Sequence, residues 1–72
     1  MWLAGHGRED AEGHSAGTRE NLVVLLGWLV LDIGEETFEL GKGGAVVFGD
    51  DIAHAYVNPG SEECIMNLVM TY

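Results

Sequence analysis

His14, Glu20 and His54 are the residues through which this sequence could do chemistry. His54 lies in "DDIAHAYVNPG" (residues 50–60), a run that reads as a strand closed by Asn58-Pro59-Gly60. Side chains of a strand alternate faces, so His54, Tyr56 and Asn58 share one face. His14, Ala16 and Glu20 have equal parity in the earlier run, continued by Leu22, Val24 and Leu26 if no turn at Gly17-Thr18 resets it. Two imidazoles and a carboxylate on one face are donors that hold Zn, Mn, Fe or Ni. Each residue also has a plainer reading. A single histidine is more often hydrogen-bonded or solvent-facing than metal-bound. Glu20 as a rim carboxylate would pair with Arg19 or a neighbour. Asn58 would bond the turn backbone ahead of Pro59. Tyr56 and Trp28 belong more often to a core or an interface than to a ligand platform.

The elements that must position these residues are short. Eleven glycines and one proline interrupt the 72 residues at close intervals. Between them lie "NLVVLL", "WLVLDI", "TFEL", "AVVF", "AHAYVN" and "CIMNLVMTY", rich in Val, Leu, Ile and aromatics. Strand-length runs bounded by turn residues predict an all-β sandwich or barrel. A helix across Leu22–Leu31 competes for one stretch, but Gly27 and the valines weigh against it. "DIGEETF" predicts a hairpin turning at Gly34, "LGKGGA" a second turn at Gly43, and "NPGSEE" a third at Pro59-Gly60. Gly27 and Gly43 are read as turn geometry. "WLVLDI" and "IMNLVM" are apolar at nearly every position, which predicts strands covered on both faces.

Composition excludes several partners. Twelve acids against three bases give a net charge of −9, so no basic stripe is available for phosphate backbones. Direct nucleic-acid binding and docking to an anionic membrane are both disfavoured. The apolar stretch Leu22–Leu31 is about half a membrane span, and "MWLAGHGRED" lacks the regions of a signal peptide. The cytoplasm is the expected location. Cys64 is the one cysteine, so no intrachain disulfide forms, and beside Ile65 and Met66 it reads as a small buried hydrophobe. A chain this short buries roughly 60–65% of its unfolded surface, which leaves apolar surface for a partner and predicts a homodimer.

The order of these features resembles the cupins, in particular the small cupin domains at the C-terminus of bacterial helix-turn-helix regulators. The first cupin motif is His-x-His, three or four residues, Glu, six residues, Gly. "HSAGTRENLVVLLG" matches it with His14, Glu20 and Gly27, and has Ala16 where the second histidine belongs. The second motif is Gly, five residues, Pro-x-Gly, two residues, His, three residues, Asn. "GGAVVFGDDIAHAYVN" matches it with Gly43, His54 and Asn58, with Gly49 for the proline and Asp51 for the glycine. The family often has Pro and Asp where this chain has Lys42 and Gly44.

The resemblance covers about residues 14–72 of a single domain, with 1–13 a loosely ordered lead-in or first strand. It implies an all-β, cupin-like jelly roll: a small β-barrel of two antiparallel sheets, open at one end over a pocket. Glu20, His54, Tyr56 and Trp28 are the implied pocket residues, and His14, Glu20 and His54 the implied ligands of one divalent metal. Gly27, Gly43, Asn58, Pro59 and Gly60 are implied turn positions. The leading functional reading is a domain that binds or senses a small molecule, related to the effector domain of a transcriptional regulator. A small metal-dependent enzyme of dioxygenase or isomerase type is one alternative, and Ala16 counts against it. A ligand-free dimerisation module is the other.

The charge balance sets a first test. At physiological salt the isolated chain should leave a DNA duplex unshifted at micromolar concentration in a gel assay, because phosphates repel the −9 chain. A retarded band would contradict it.

Overall fold

The alternation in "RENLVVLL" turns every second side chain inward, and Glu20, Leu22 and Val24 are buried along that strand. A computed structural model of the chain describes residues 1–13, 17–49 and 51–71. Among the described residues eight strands form, in chain order: β1 (Trp2–Leu3), β2 (Arg8–Ala11), β3 (Arg19–Leu26), β4 (Trp28–Ile33), β5 (Glu36–Gly41), β6 (Ala45–Gly49), β7 (His54–Val57) and β8 (Cys64–Thr71). No helix occurs among the described residues. The competing helix across Leu22–Leu31 is instead two strands, β3 and β4, broken at Gly27.

The strands make two four-stranded antiparallel sheets. Sheet A has the order β1-β8-β3-β6 and sheet B the order β2-β7-β4-β5. The pairs are nested: first with last, second with seventh, third with sixth, fourth with fifth. A long antiparallel hairpin wound on itself gives this pairing, the eight-stranded jelly roll that manages its exposed edges by doubling the sheet. Leu22, Val24, Phe48, Cys64 and Met66 from sheet A pack on Leu29, Leu31 and Tyr56 from sheet B, with Leu3 of β1 closing one side. Cys64 is fully buried in this core, and burial pushes its thiol above the ordinary cysteine range. It therefore packs as a hydrophobe and stays protonated at neutral pH.

Backbone geometry explains the turns. Gly27 has φ +78°, and a Cβ there would lie 2.6 Å from the Glu63 carbonyl, so conformation and space both require glycine. Gly34 (φ +58°) opens the two-residue β4–β5 turn. Gly43 also lies in the left-handed region, and its N–H donates to the Val24 carbonyl at 2.8 Å, tying the β5–β6 turn to β3.

Residues 1–13, read from the sequence as a lead-in or first strand, carry two strands, β1 and β2, one in each sheet. "WLVLDI" and "IMNLVM" bury one face each within the chain: Leu29, Leu31 and Met66 point inward, while Trp28 and Val69 are exposed. The opposite sheet supplies one of the two covers expected of these strands; the other is the one expected of a partner or a closed barrel.

Asn58 fastens the early strands. Its side chain is 1% exposed, and Nδ2 donates to the carbonyls of Leu3 (3.2 Å), Ala4 (3.1 Å) and Glu62 (2.6 Å). Its Oδ1 accepts from the Gly60 N–H at 3.1 Å, the local turn bond expected ahead of Pro59. Its own backbone N–H donates to Gly7. One amide thus joins the β7–β8 connection to the segment between β1 and β2. Asn58→Ala leaves three buried or half-buried carbonyls short of a donor, so it should cost about 2–4 kcal/mol in urea unfolding. Amides of β1 should lose exchange protection in the same variant. A loss below about 0.5 kcal/mol would contradict the clamp.

Candidate functional site

Glu20 is an inward position of β3, set in register between Phe48 of β6 and Met70 of β8. Across the core, His54 and Tyr56 are alternate residues of β7, so both point in from sheet B; His54 pairs with Ile33, and Tyr56 with Leu31. The two sheets bring a carboxylate, an imidazole and a phenol into one cluster. All three are buried: Glu20 is 2% exposed, Tyr56 3% and His54 5%.

The Tyr56 hydroxyl donates to Glu20 Oε1. His54 Nε2 lies 3.6 Å from Glu20 Oε2. The other imidazole nitrogen, Nδ1, sits 2.9 Å from the Ile52 carbonyl. A carbonyl only accepts, so this contact assigns the Nδ1 proton and leaves Nε2 facing the carboxylate. Phe48 packs edge-on against the His54 ring at 5.2 Å and Tyr56 does so at 5.3 Å. The imidazole is therefore fixed in plane by two aromatic neighbours and in rotation by Ile52. A buried carboxylate is costly unless donors surround it. Here the phenol and the imidazole are the neighbouring polar groups.

The sequence-derived residues divide. Glu20, His54 and Tyr56 come together, and Phe48 joins them, a neighbour that only its alternating place in "AVVFG" could have suggested. Trp28 does not join. It sits on the outer face of sheet B and lines a separate 280 Å³ hollow with Gly27, Gly60 and Glu62. Ile33, which pairs with His54, is five residues further along β4, about 17 Å away at strand spacing. Leu29 and Leu31 take the inward parity of that strand, and Trp28 has the opposite one. Asn58 acts as the structural clamp described above, away from the carboxylate. His14 lies outside the described residues, as does Ala16.

As a metal centre, the described part of this set offers two donors, Glu20 Oε2 and His54 Nε2, where a metal site takes at least three protein ligands. No group of three His, Cys, Asp or Glu residues arranged for a metal occurs among the described residues. What the described part of the cluster offers is hydrogen-bonding groups, on Glu20, Tyr56 and His54.

A larger open groove, 520 Å³, crosses the outer face of sheet B among Arg8, Asp10, Glu12 and Asp32, and reaches His54. Arg8 Nη2 and Asp10 Oδ1 pair there at 2.9 Å with both side chains exposed. The hydrogen bonds from the guanidinium hold the Asp10 carboxyl below the usual carboxylate range. An exposed pair of this kind contributes little to stability.

The model of the Cupin domain family matches residues 2–71. The chain belongs to the cupin family. The match starts in β1, ahead of the motif at His14, and so takes in both early strands. This cupin is similar, at 31% identity and a TM-score of 0.94, to the crystal structure of the cupin domain of an XRE family transcriptional regulator from Enterobacter cloacae. The likeness covers 99% of this chain and 75% of that one. An HTH_3 family transcriptional regulator from Vibrio cholerae is similar at 25% identity and a TM-score of 0.90, over 99% of this chain and 39% of its own. The cupin therefore spans well under half of that regulator. No curated protein matches the chain.

The polar cluster has a measurable energy. Tyr56→Phe removes a donor from a buried carboxylate oxygen and should cost about 1–3 kcal/mol in denaturant unfolding. Glu20→Gln keeps an acceptor for the phenol and offers His54 a donor, so it should cost less. A double-mutant cycle between positions 20 and 56 should give a coupling above about 0.5 kcal/mol; additivity would contradict the pairing.

Proposed function

We propose that this cupin is a sensing domain. In this reading the Glu20–Tyr56–His54 cluster recognises a small molecule, and a DNA-binding domain reports the binding. The observation that carries the proposal is the burial of a carboxylate, a phenol and an imidazole together in an apolar barrel. Such a set costs stability that aliphatic side chains of the same volume would not, and His54 connects it to the 520 Å³ groove. The favoured ligand class is a small molecule with a hydrogen-bond-donating or cationic group, which the carboxylate would accept. Similarity to a domain of a transcriptional regulator supports the link to gene control. The −9 charge supports a division of labour in which another domain contacts DNA.

Thermal melting against a panel of small amines, amino acids, sugars and organic acids tests the reading. A true ligand at about 100 times its dissociation constant adds roughly 2.7 kcal/mol to the folded state. A rise in Tm with a member of the panel is expected for the wild type, and its loss in Glu20→Gln. Equal shifts in both proteins would remove Glu20 from recognition, and a panel without a shift would count against sensing of these classes.

A further inference from the structure

Trp28 begins β4 on the outer face of sheet B, 42% exposed and set among glycines. Gly27 precedes it, and Gly41 is its register partner on β5. Gly60 lies against the indole, where a Cβ would come within 3.1 Å of Nε1 and 3.8 Å of Cδ1. None of the three has a side chain to cover the ring. Between the indole, Gly27, Gly60, Ser61 and Glu62 lies the 280 Å³ hollow. Among the described residues the Trp28 N–H has no acceptor and Glu62 no cationic partner. The other indole, Trp2, donates to Glu63 at 2.7 Å.

We propose that this hollow is a second small-molecule site, which takes one pyranose ring of a neutral sugar with its C–H face on the indole. Its volume lies just under the range of about 300–1,000 Å³ typical of small-molecule pockets, which suits a single ring and not a chain. Charge removes anions, because Glu62 is the ionised group of the lining and no base stands beside it. The pattern of donors and acceptors then separates a sugar from a cation. An indole N–H only donates, a carboxylate only accepts, and a serine hydroxyl does both. A sugar hydroxyl also does both, so sugar hydroxyls can use all three groups. An ammonium group only donates, and would leave the indole N–H without a partner. The indole itself has a flat apolar body and a polar edge. That matches a ring with C–H groups on its face and hydroxyls at its rim.

The hollow is independent of the Glu20 cluster. It lies at the other end of β4, about 17 Å from the residue that pairs with His54, and on the side of sheet B that faces away from the core. Gly60 is outside the left-handed region. What glycine supplies at that position is room beside the indole, not a special conformation.

Nitrogen-edited NMR of the 72-residue chain, titrated with D-glucose, D-galactose and N-acetyl-D-glucosamine into the millimolar range, tests this. With at least one of these sugars the Trp28 indole N–H and the amides of Gly60, Ser61 and Glu62 are expected to shift and saturate together, while the Trp2 indole stays in place. The same shifts should persist in Glu20→Gln, and their loss there would assign the sugar to the buried cluster and overturn the proposal. Trp28→Ala should weaken binding, read at the three amides, at least about tenfold. Gly60→Ala puts a methyl group against the indole edge and should weaken it similarly with the ring retained, so it decides the matter if Trp28→Ala fails to fold. Tetramethylammonium chloride is expected to leave these signals unmoved. The absence of a shift with all three sugars overturns the proposal, as does a shift that both variants keep. Saturation by tetramethylammonium alone would overturn the ligand class.

Discussion

A carboxylate buried between two β-sheets is the constraint on which the interior depends. Glu20 is held inward by the parity of β3, and its register neighbours, Phe48 of β6 and Met70 of β8, are apolar. The opposite sheet brings polar groups to it. Tyr56 supplies one, His54 stands at the second oxygen, and the Ile52 carbonyl fixes the imidazole that faces it. Apolar contacts hold the sheets together without direction, whereas this cluster also fixes how sheet B sits over sheet A. That directional role is the physical reason a polar group can be worth its desolvation in so small a core.

Closure of the roll depends on a different polar residue. β1 has two residues and β2 four, too few to hold a place in a sheet by ladder bonds alone. Asn58 substitutes a side-chain amide for the missing ladder, gathering the Leu3, Ala4 and Glu62 carbonyls. The short strands then cap the edges of β8 and β7, so that Leu3 closes the core beside Cys64. Without that cover the apolar interior would open to water along one side.

The outer surfaces follow from the same two-layer plan. Every strand has one face that the opposite sheet covers and one that it does not. In sheet B the uncovered face carries ionised side chains, with Arg8 and Asp10 paired over the groove. In sheet A it carries valine, leucine and tryptophan. That contrast gives the molecule a polarity that the chain-wide net charge conceals.

The sequence by itself determined the all-β class, the family, and the inward parity shared by His54 and Tyr56. These are local properties, written in alternation, glycine placement and motif spacing over a few residues. It also made Glu20 a candidate, though as a pocket residue, a metal ligand or a rim carboxylate rather than as the partner of a phenol. Tertiary structure decided the rest. "WLVLDI" is apolar on both parities, so only packing could show that Leu29 and Leu31 face inward and Trp28 outward. A two-residue strand has no period to read, so β1 became visible only through its pairing with β8. Asn58 reaches carbonyls more than fifty residues away, and Glu20 meets Tyr56 across thirty-six. Contacts at that separation are set by how the two sheets close on each other, and no pattern within a strand's length encodes them.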